Sequence, residues 1–200
     1  MHRIHSETFF SPSDLADFAA CQYATLLNLT NLDTVLQKKK ADDTLKILQN
    51  HGDLHEKNYL DRLKQEGKQV VEITSKLPYV ERHRLTLEAM QQGAEIIYQA
   101  ALEDGCFRGY ADFLLRVNSP SKLGTYSYEV ADTKLASSGK ARHLVQIALY
   151  SDMVEVVQGL SPVSARLEFG TGQSKSYRLD SYRHYVKRVP LGCTGQMKDY

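Results

Sequence analysis

Two apolar β-strand patterns lie close together in the middle of this chain, and each carries an aspartate inside its apolar run. Residues 107–117 read FRGYADFLLRV and residues 126–135 read YSYEVADTKL. Between them, Asn118 to Gly124 (NSPSKLG) has the composition of a turn. Together these segments predict a β-hairpin with a longer loop. A helical pattern follows from about Lys140 to Gln158, with Val145, Ala148, Leu149, Met153 and Val156 inward, closed by Gly159 and Pro162.

The flanking sequence is mainly helical in period. Ser11-Pro12-Ser13 is a helix start, and the run from Asp14 to Leu27 is apolar at Leu15, Phe18, Ala19, Tyr23 and Leu26. A longer helical pattern spans 42–65 and ends at Gly67, a residue suited to a C-cap. Gln69 to Ile73 reads as a short strand. Residues 80–103 read as helix again, with Gly93 as a break. Val163 to Phe169 and Tyr177 to Leu179 are weaker strands around a Gly170-Thr171-Gly172 turn. The predicted fold class is therefore α+β or mixed α/β, a small mixed sheet flanked by helices.

Composition narrows the function classes. The 200 residues are 42% hydrophobic and 24% charged, which suits a globular chain and excludes disordered and collagen-like ones. Lys plus Arg is 25 and Asp plus Glu is 24, so the chain is no general polycation. Holding a polyanion would need a local basic patch or a metal. The run Gln37 to Lys40 reads as a solvated loop or helix end. No apolar run approaches the roughly 18 residues needed to cross a bilayer, and the first ten residues lack a signal-peptide core, so a cytoplasmic protein with no membrane partner is expected. Cys21, Cys106 and Cys193 are too few and too scattered for a disulfide framework.

The chemistry sits on the hairpin. With the loop centred near Ser121, Asp112 lies opposite Val130 and Asp132 is its diagonal neighbour on the same face. Alternation puts Asp132 and Lys134 on that face and turns Thr133 and Glu129 away. Ala111, Phe113, Val130 and Ala131 surround the two carboxylates, which is costly unless they are paired or metal-bound. An Asp–Lys ion pair at a strand end would meet that need. So would Mg²⁺ or Mn²⁺, which favour hard oxygen ligands. Such ions polarise a phosphoryl oxygen and lower the pKa of bound water, and a lysine can orient that water or offset charge on phosphate. The set suits phosphodiester cleavage with water as nucleophile.

Gly109-Tyr110-Ala111-Asp112, Asp132-Thr133-Lys134 and Gln146-Ile147-Ala148-Leu149-Tyr150 occur in that order, preceded by Gly52-Asp53-Leu54-His55. This series resembles the ordered motifs of the PD-(D/E)XK nucleases, in the RecB-like branch, over about residues 8–188. Ser11 to Cys21 and Tyr128 to Gly159 are especially similar. The resemblance implies a restriction-endonuclease-like core within a nuclease domain at 1–189. It implies hydrolysis of DNA, exonuclease-like, in DNA repair or processing. His55, Asp112 and Asp132 would be metal ligands, with the backbone carbonyl of Thr133 beside them. Lys134 would be the catalytic lysine, and Gln146 and Tyr150, on one helix face, would position substrate or lysine. Several relatives bind an iron–sulfur cluster through one upstream and three downstream cysteines. Only Cys21 matches that pattern, with Cys193 alone near the end of the chain, so no four-cysteine cluster is expected within it. Residues 190–200 (PLGCTGQMKDY) depart from the family's continuation and read as an atypical tail at a truncation point.

Three other readings compete. His51 and His55 are spaced i,i+4 as in helical zinc pairs, but the glutamate of HExxH is missing after the first histidine. A catalytically incompetent nucleic-acid-binding module, left by truncation, would use Arg82, His83, Arg84, Lys122, Lys140, Arg142, His143 and Lys175 as phosphate contacts. A plain interaction domain would keep Asp112 and Lys134 as a structural ion pair.

Overall fold

A computed structural model describes residues 1–37 and 43–182. Lys38 to Lys40 of the basic run, the expected helix start at Asp42, and the tail 190–200 with Cys193 lie outside the described residues. The chain opens with a two-stranded antiparallel ribbon, β1 (His2–Ile4) and β2 (Glu7–Phe9). Helices α1 (Pro12–Ala20), α2 (Gln22–Asp33) and α3 (Asp43–Gln65) follow. Then come β3 (Val70–Glu72), α4 (Tyr79–Gln91), β4 (Ile96–Asp104), β5 (Phe107–Val117) and β6 (Ser127–Lys134). Helix α5 (Ala141–Gln158) leads to β7 (Ser164–Phe169), β8 (Ser174–Arg178) and a final 3₁₀ turn, Leu179–Ser181.

Strands β3 to β8 form one six-stranded sheet whose spatial order is the chain order. The central strands β4, β5 and β6 are an antiparallel meander. The β3–β4 and β6–β7 pairs are parallel, and parallel neighbours need a crossover. Helices α4 and α5 are those crossovers. The fold is thus mixed α+β. One face of the sheet carries the main core, where Phe10, Leu15, Met90, Ile97, Leu114, Val130, Ile147, Met153 and Leu167 are buried together. On the other face α3 packs Tyr59, Leu60 and Leu63 against Ile96, Phe113 and Ala131. Among the described residues no helix is long and apolar enough to cross a membrane.

Local chemistry explains several boundaries. Ser11 caps α1 through a capping box with Asp14, with Pro12 in the first turn. The helix expected to run on to Leu27 breaks at Cys21, whose φ of −158° is extended, and α2 restarts at Gln22. Gly159 ends α5 in the left-handed region at φ 64°.

The stretch 80–103 is corrected by the structure. It is helical only to Gln91, and Ile96–Asp104 is the strand β4. Its partner decides the matter, because β4 lies along the whole of β5, from Ile96↔Leu115 to Asp104↔Phe107. The sequence signal for this hairpin was Asp104-Gly105, a turn pair ahead of the Phe107 strand, and Gly105 has φ 56°. The last strand is corrected too: β8 begins at Ser174 rather than Tyr177.

Candidate active site at the end of the central hairpin

The β5–β6 ladder runs from Val117↔Ser127 to Phe113↔Ala131, with Leu114 opposite Val130. One further step places Asp112 across from Asp132, two residues from the expected register. Moving the loop centre from Ser121 to Lys122 accounts for the shift, since each residue of loop displacement moves the pairing by two. Parity is unchanged, so the two carboxylates still come together.

At Asp112 the side chain takes over from the ladder. Its Oδ2 accepts from the Thr133 backbone N–H at 2.8 Å and from the Thr133 hydroxyl at 2.9 Å. Asp132 is in the opposite condition. It is 1% exposed, and its Oδ1 has no hydrogen-bond partner. Its contact is an ion pair: Lys134 Nζ stands 2.5 Å from Oδ2. Burial pushes the Asp132 carboxyl well above the usual carboxylate range, the Asp112 charge adds to this, and Lys134 opposes it. Lys134 is about one-fifth exposed, so its ammonium lies between the buried acid and solvent.

Glu168 on β7 offers a contrast. It is as buried as Asp132, yet its carboxylate accepts from the Tyr59 hydroxyl, Arg62 and Ser174 at 3.2, 3.4 and 2.7 Å. A buried acid so supplied is a structural tie. Asp132 has only the Lys134 ammonium at Oδ2 and leaves Oδ1 without a partner.

Gln146 and Tyr150 form the wall from α5. The Tyr150 hydroxyl bonds the Gln146 side chain and the Tyr110 backbone, and burial together with the Asp112 and Asp132 charges pushes its pKa up. His55 is placed differently. Its Nε2 lies 3.1 Å from the Glu168 backbone carbonyl, so Nε2 carries the proton and only Nδ1 keeps a lone pair for a metal. Among the described residues no three His, Cys, Asp or Glu side chains form a closed metal-ligand group. The structure therefore brings Asp112, Asp132, Thr133, Lys134, Gln146 and Tyr150 into one neighbourhood, with His55 turned towards β7.

Two neighbours escaped the sequence reading. Glu56, next to His55 on α3, accepts from the Gln99 side-chain amide and from the Tyr98 hydroxyl. Burial raises its pKa, and the Asp112 charge raises it further. The only sequence signal for Glu56 was its place beside the motif histidine. Gln99 on β4 carried none.

Three residues offered as phosphate contacts are otherwise engaged. Arg82 is buried with its guanidinium 3.6 Å from the Tyr110 ring centre. Arg84 bridges Glu81 and Glu88 on its own helix. His143 is buried, its Nδ1 accepts from the Lys140 backbone N–H at 3.3 Å, and burial with the Lys134 charge lowers its pKa to about 4. It is neutral near pH 7 and offers a phosphate no charge.

No family model and no curated protein sequence matches this chain.

Proposed function

We propose that this protein is a divalent-cation-dependent nuclease that hydrolyses DNA phosphodiester bonds by attack of water, with Mg²⁺ or Mn²⁺ as cofactor. The observation that carries the reading is Asp132, a fully buried carboxylate whose Oδ1 has no partner and whose Oδ2 meets the Lys134 ammonium, across from Asp112. The element order α4–β4–β5–β6–α5–β7, an antiparallel meander and then a parallel strand after a crossover helix, supports a restriction-endonuclease-like core. The four ordered motifs support the RecB-like branch, exonuclease-like action and a setting in DNA repair or processing in the cytoplasm.

The division of labour follows from burial and charge. Asp132 and Asp112 are the acidic ligands, with His55 Nδ1 and the Thr133 carbonyl as the further ligands this reading assigns. The cation, when bound, supplies Lewis acidity towards a phosphate oxygen and lowers the pKa of its bound water. Lys134 stands on the solvent side of Asp132, where its ammonium meets the incoming phosphate and offsets the charge that builds on its oxygens. Tyr150 and Gln146, bonded to each other, hold the wall on which the substrate rests. No protein nucleophile is required.

A second reading, a nucleic-acid-binding module without catalysis, is favoured by one observation: His55 is engaged by Glu168 and no closed ligand shell stands ready among the described residues. A single assay separates the two. End-labelled single- and double-stranded DNA is incubated with the protein and Mn²⁺, wild type against Lys134→Ala. Cation-dependent cleavage lost in the variant supports the enzyme. Binding without cleavage by the wild type favours the module.

A further inference from the structure

We propose that the cavity between the β6–α5 loop and strand β8 is a subsite for one unpaired nucleotide of a DNA strand, its base stacked on Tyr182 and Tyr177 and its phosphate met by Lys175. The proposal rests on the nuclease reading above and names its substrate as single-stranded DNA.

Position is the first support. The cavity has a volume of 630 Å³, within the roughly 300–1,000 Å³ of small-ligand sites. Phe169 lines it and pairs with Lys134 in the β6–β7 ladder. Neighbouring strands lie about 5 Å apart, so the cavity adjoins the lysine that this reading sets against the phosphate. Two glycines shape its walls. The Gly170 N–H donates to the Lys134 carbonyl at 2.8 Å, and a Cβ on Gly170 would stand 2.8 Å from the Leu135 carbonyl oxygen. A Cβ on Gly139 would collide with the Tyr177 hydroxyl. The loop after Lys134 and the β7–β8 turn therefore close tightly on the strand end, with the cavity beside it.

The second support is the chemistry of the lining. Tyr177 and Tyr182 are half-buried, their ring centres 6.4 Å apart and their planes at 69°. Lys175 Nζ lies 5.1 Å from the Tyr177 ring centre, and no carboxylate pairs with it among the described residues. The hydroxyls of Ser137 and Ser138 and the Gln173 amide add hydrogen-bonding groups. No aspartate or glutamate lines the cavity among the described residues. In a chain with 25 basic and 24 acidic residues, an acid-free recess with an unpaired ammonium favours an anionic guest. Aromatic rings beside a cation fit a base next to its phosphate, as in sites that hold single strands. A base inside a duplex is stacked and paired, and enters such a recess only once it has left the helix.

The competing account is a surface recess that holds at most a phosphate group. Fluorescence anisotropy of the full chain in EDTA, where no cation-dependent cleavage runs, separates the two. The probes are a labelled oligothymidylate, an abasic oligomer with the same backbone, and a blunt DNA duplex. The wild type should bind the oligothymidylate more tightly than either of the others. Tyr182→Leu and Lys175→Gln should each weaken that binding about fivefold or more, the lower end of base–aromatic stacking. Tyr182→Phe, which keeps the ring, should bind as the wild type does. Lys76→Gln, exposed beyond β3 at the opposite edge of the sheet, should leave the affinity within about twofold, as a distant screened charge would. The chain contains no tryptophan, so Tyr182→Trp adds a single reporter whose emission should be quenched by the oligothymidylate and not by the abasic oligomer. Equal affinity for the abasic oligomer, wild-type affinity in Tyr182→Leu, or an equal loss in Lys76→Gln overturns the proposal. Cleavage with Mn²⁺ marks the boundary with the underlying reading. If the wild type cleaves, Asp132→Asn does not, and Tyr182→Leu binds normally, the nuclease reading stands and this one falls. If Tyr182→Leu loses binding but the wild type cleaves nothing, the cavity stands as a single-strand site and the nuclease reading falls.

Discussion

The Tyr150 ring lies directly over Gly109: a Cβ on that glycine would stand 2.9 Å from the phenol hydroxyl and 2.8 Å from Pro12 Cδ. Two motifs about 40 residues apart in the sequence thus meet in space, and the glycine three residues before Asp112 is explained by packing. Its lack of a side chain lets α5 bring Tyr150 down onto β5.

Gly109→Ala should therefore destabilise the fold by about 1–3 kcal/mol, the usual cost of forcing extra volume into a packed site. For a chain of this size that is a fall of roughly 2–4 °C in melting temperature per kcal/mol. Urea denaturation of the two proteins measures it, and unchanged stability would mean that Tyr150 and Pro12 move aside freely.

Removing Lys134 should cost stability in a pH-dependent way. Lys134→Ala leaves Asp132 buried without its cationic partner, which disfavours the ionised acid. The folded-state pKa of Asp132 is already raised, so its ionisation opposes folding at pH values above the unfolded pKa, increasingly as pH rises towards the folded value. The variant should lose more stability at pH 8 than at pH 5.5. Equal losses at both values would show that the pairing carries no charge energy.

His143 gives the opposite sign. Its folded-state pKa is lowered to about 4 from an ordinary value near 6.5, so stability is fully present above pH 6.5 and falls as pH drops towards 4. His143→Gln should flatten that acid limb by about 2 kcal/mol, somewhat under the roughly 1.4 kcal/mol per pKa unit of full linkage. Asp132 pulls the other way across the same range, so the wild-type-minus-variant difference, from denaturant melts at pH 7 and 4.5, is the quantity to read.

Cation binding should also appear as stability. At about 100 times its dissociation constant a ligand that binds only the native state adds about 2.7 kcal/mol. Mn²⁺ should thus raise the wild-type melting temperature by roughly 5–10 °C and leave Asp132→Asn unmoved. An equal rise in both would place the ion elsewhere.

Strands β5 and β6, their turn and helix α5 were legible from the sequence, because their signals are local: a period of two, a Pro-Ser-Gly turn, then a period of 3.6 closed by glycine. The shared face of Asp132 and Lys134 was legible for the same reason, since strand alternation survives any shift by an even number of residues, whereas the Thr133 hydroxyl, expected to turn away, donates to Asp112. The register was not, because a loop of this length permits several centres and packing selects one. Strand β4 was misread as helix because Ala100, Ala101, Leu102 and Glu103 are good helix formers, and only the long pairing with β5 outweighs that preference.

Local sequence, then, determined the element types, the parity of the acidic strands and the identities of the chemical groups, because those depend on residues within a few positions of one another. Tertiary structure decided that Asp132 is sealed from water, that His55 turns to β7, and that Gln99 twists to present its amide to Glu56. Each of those rests on contacts between residues tens of positions apart, and burial and electrostatic coupling exist only once the sheet and its helices have closed on one another.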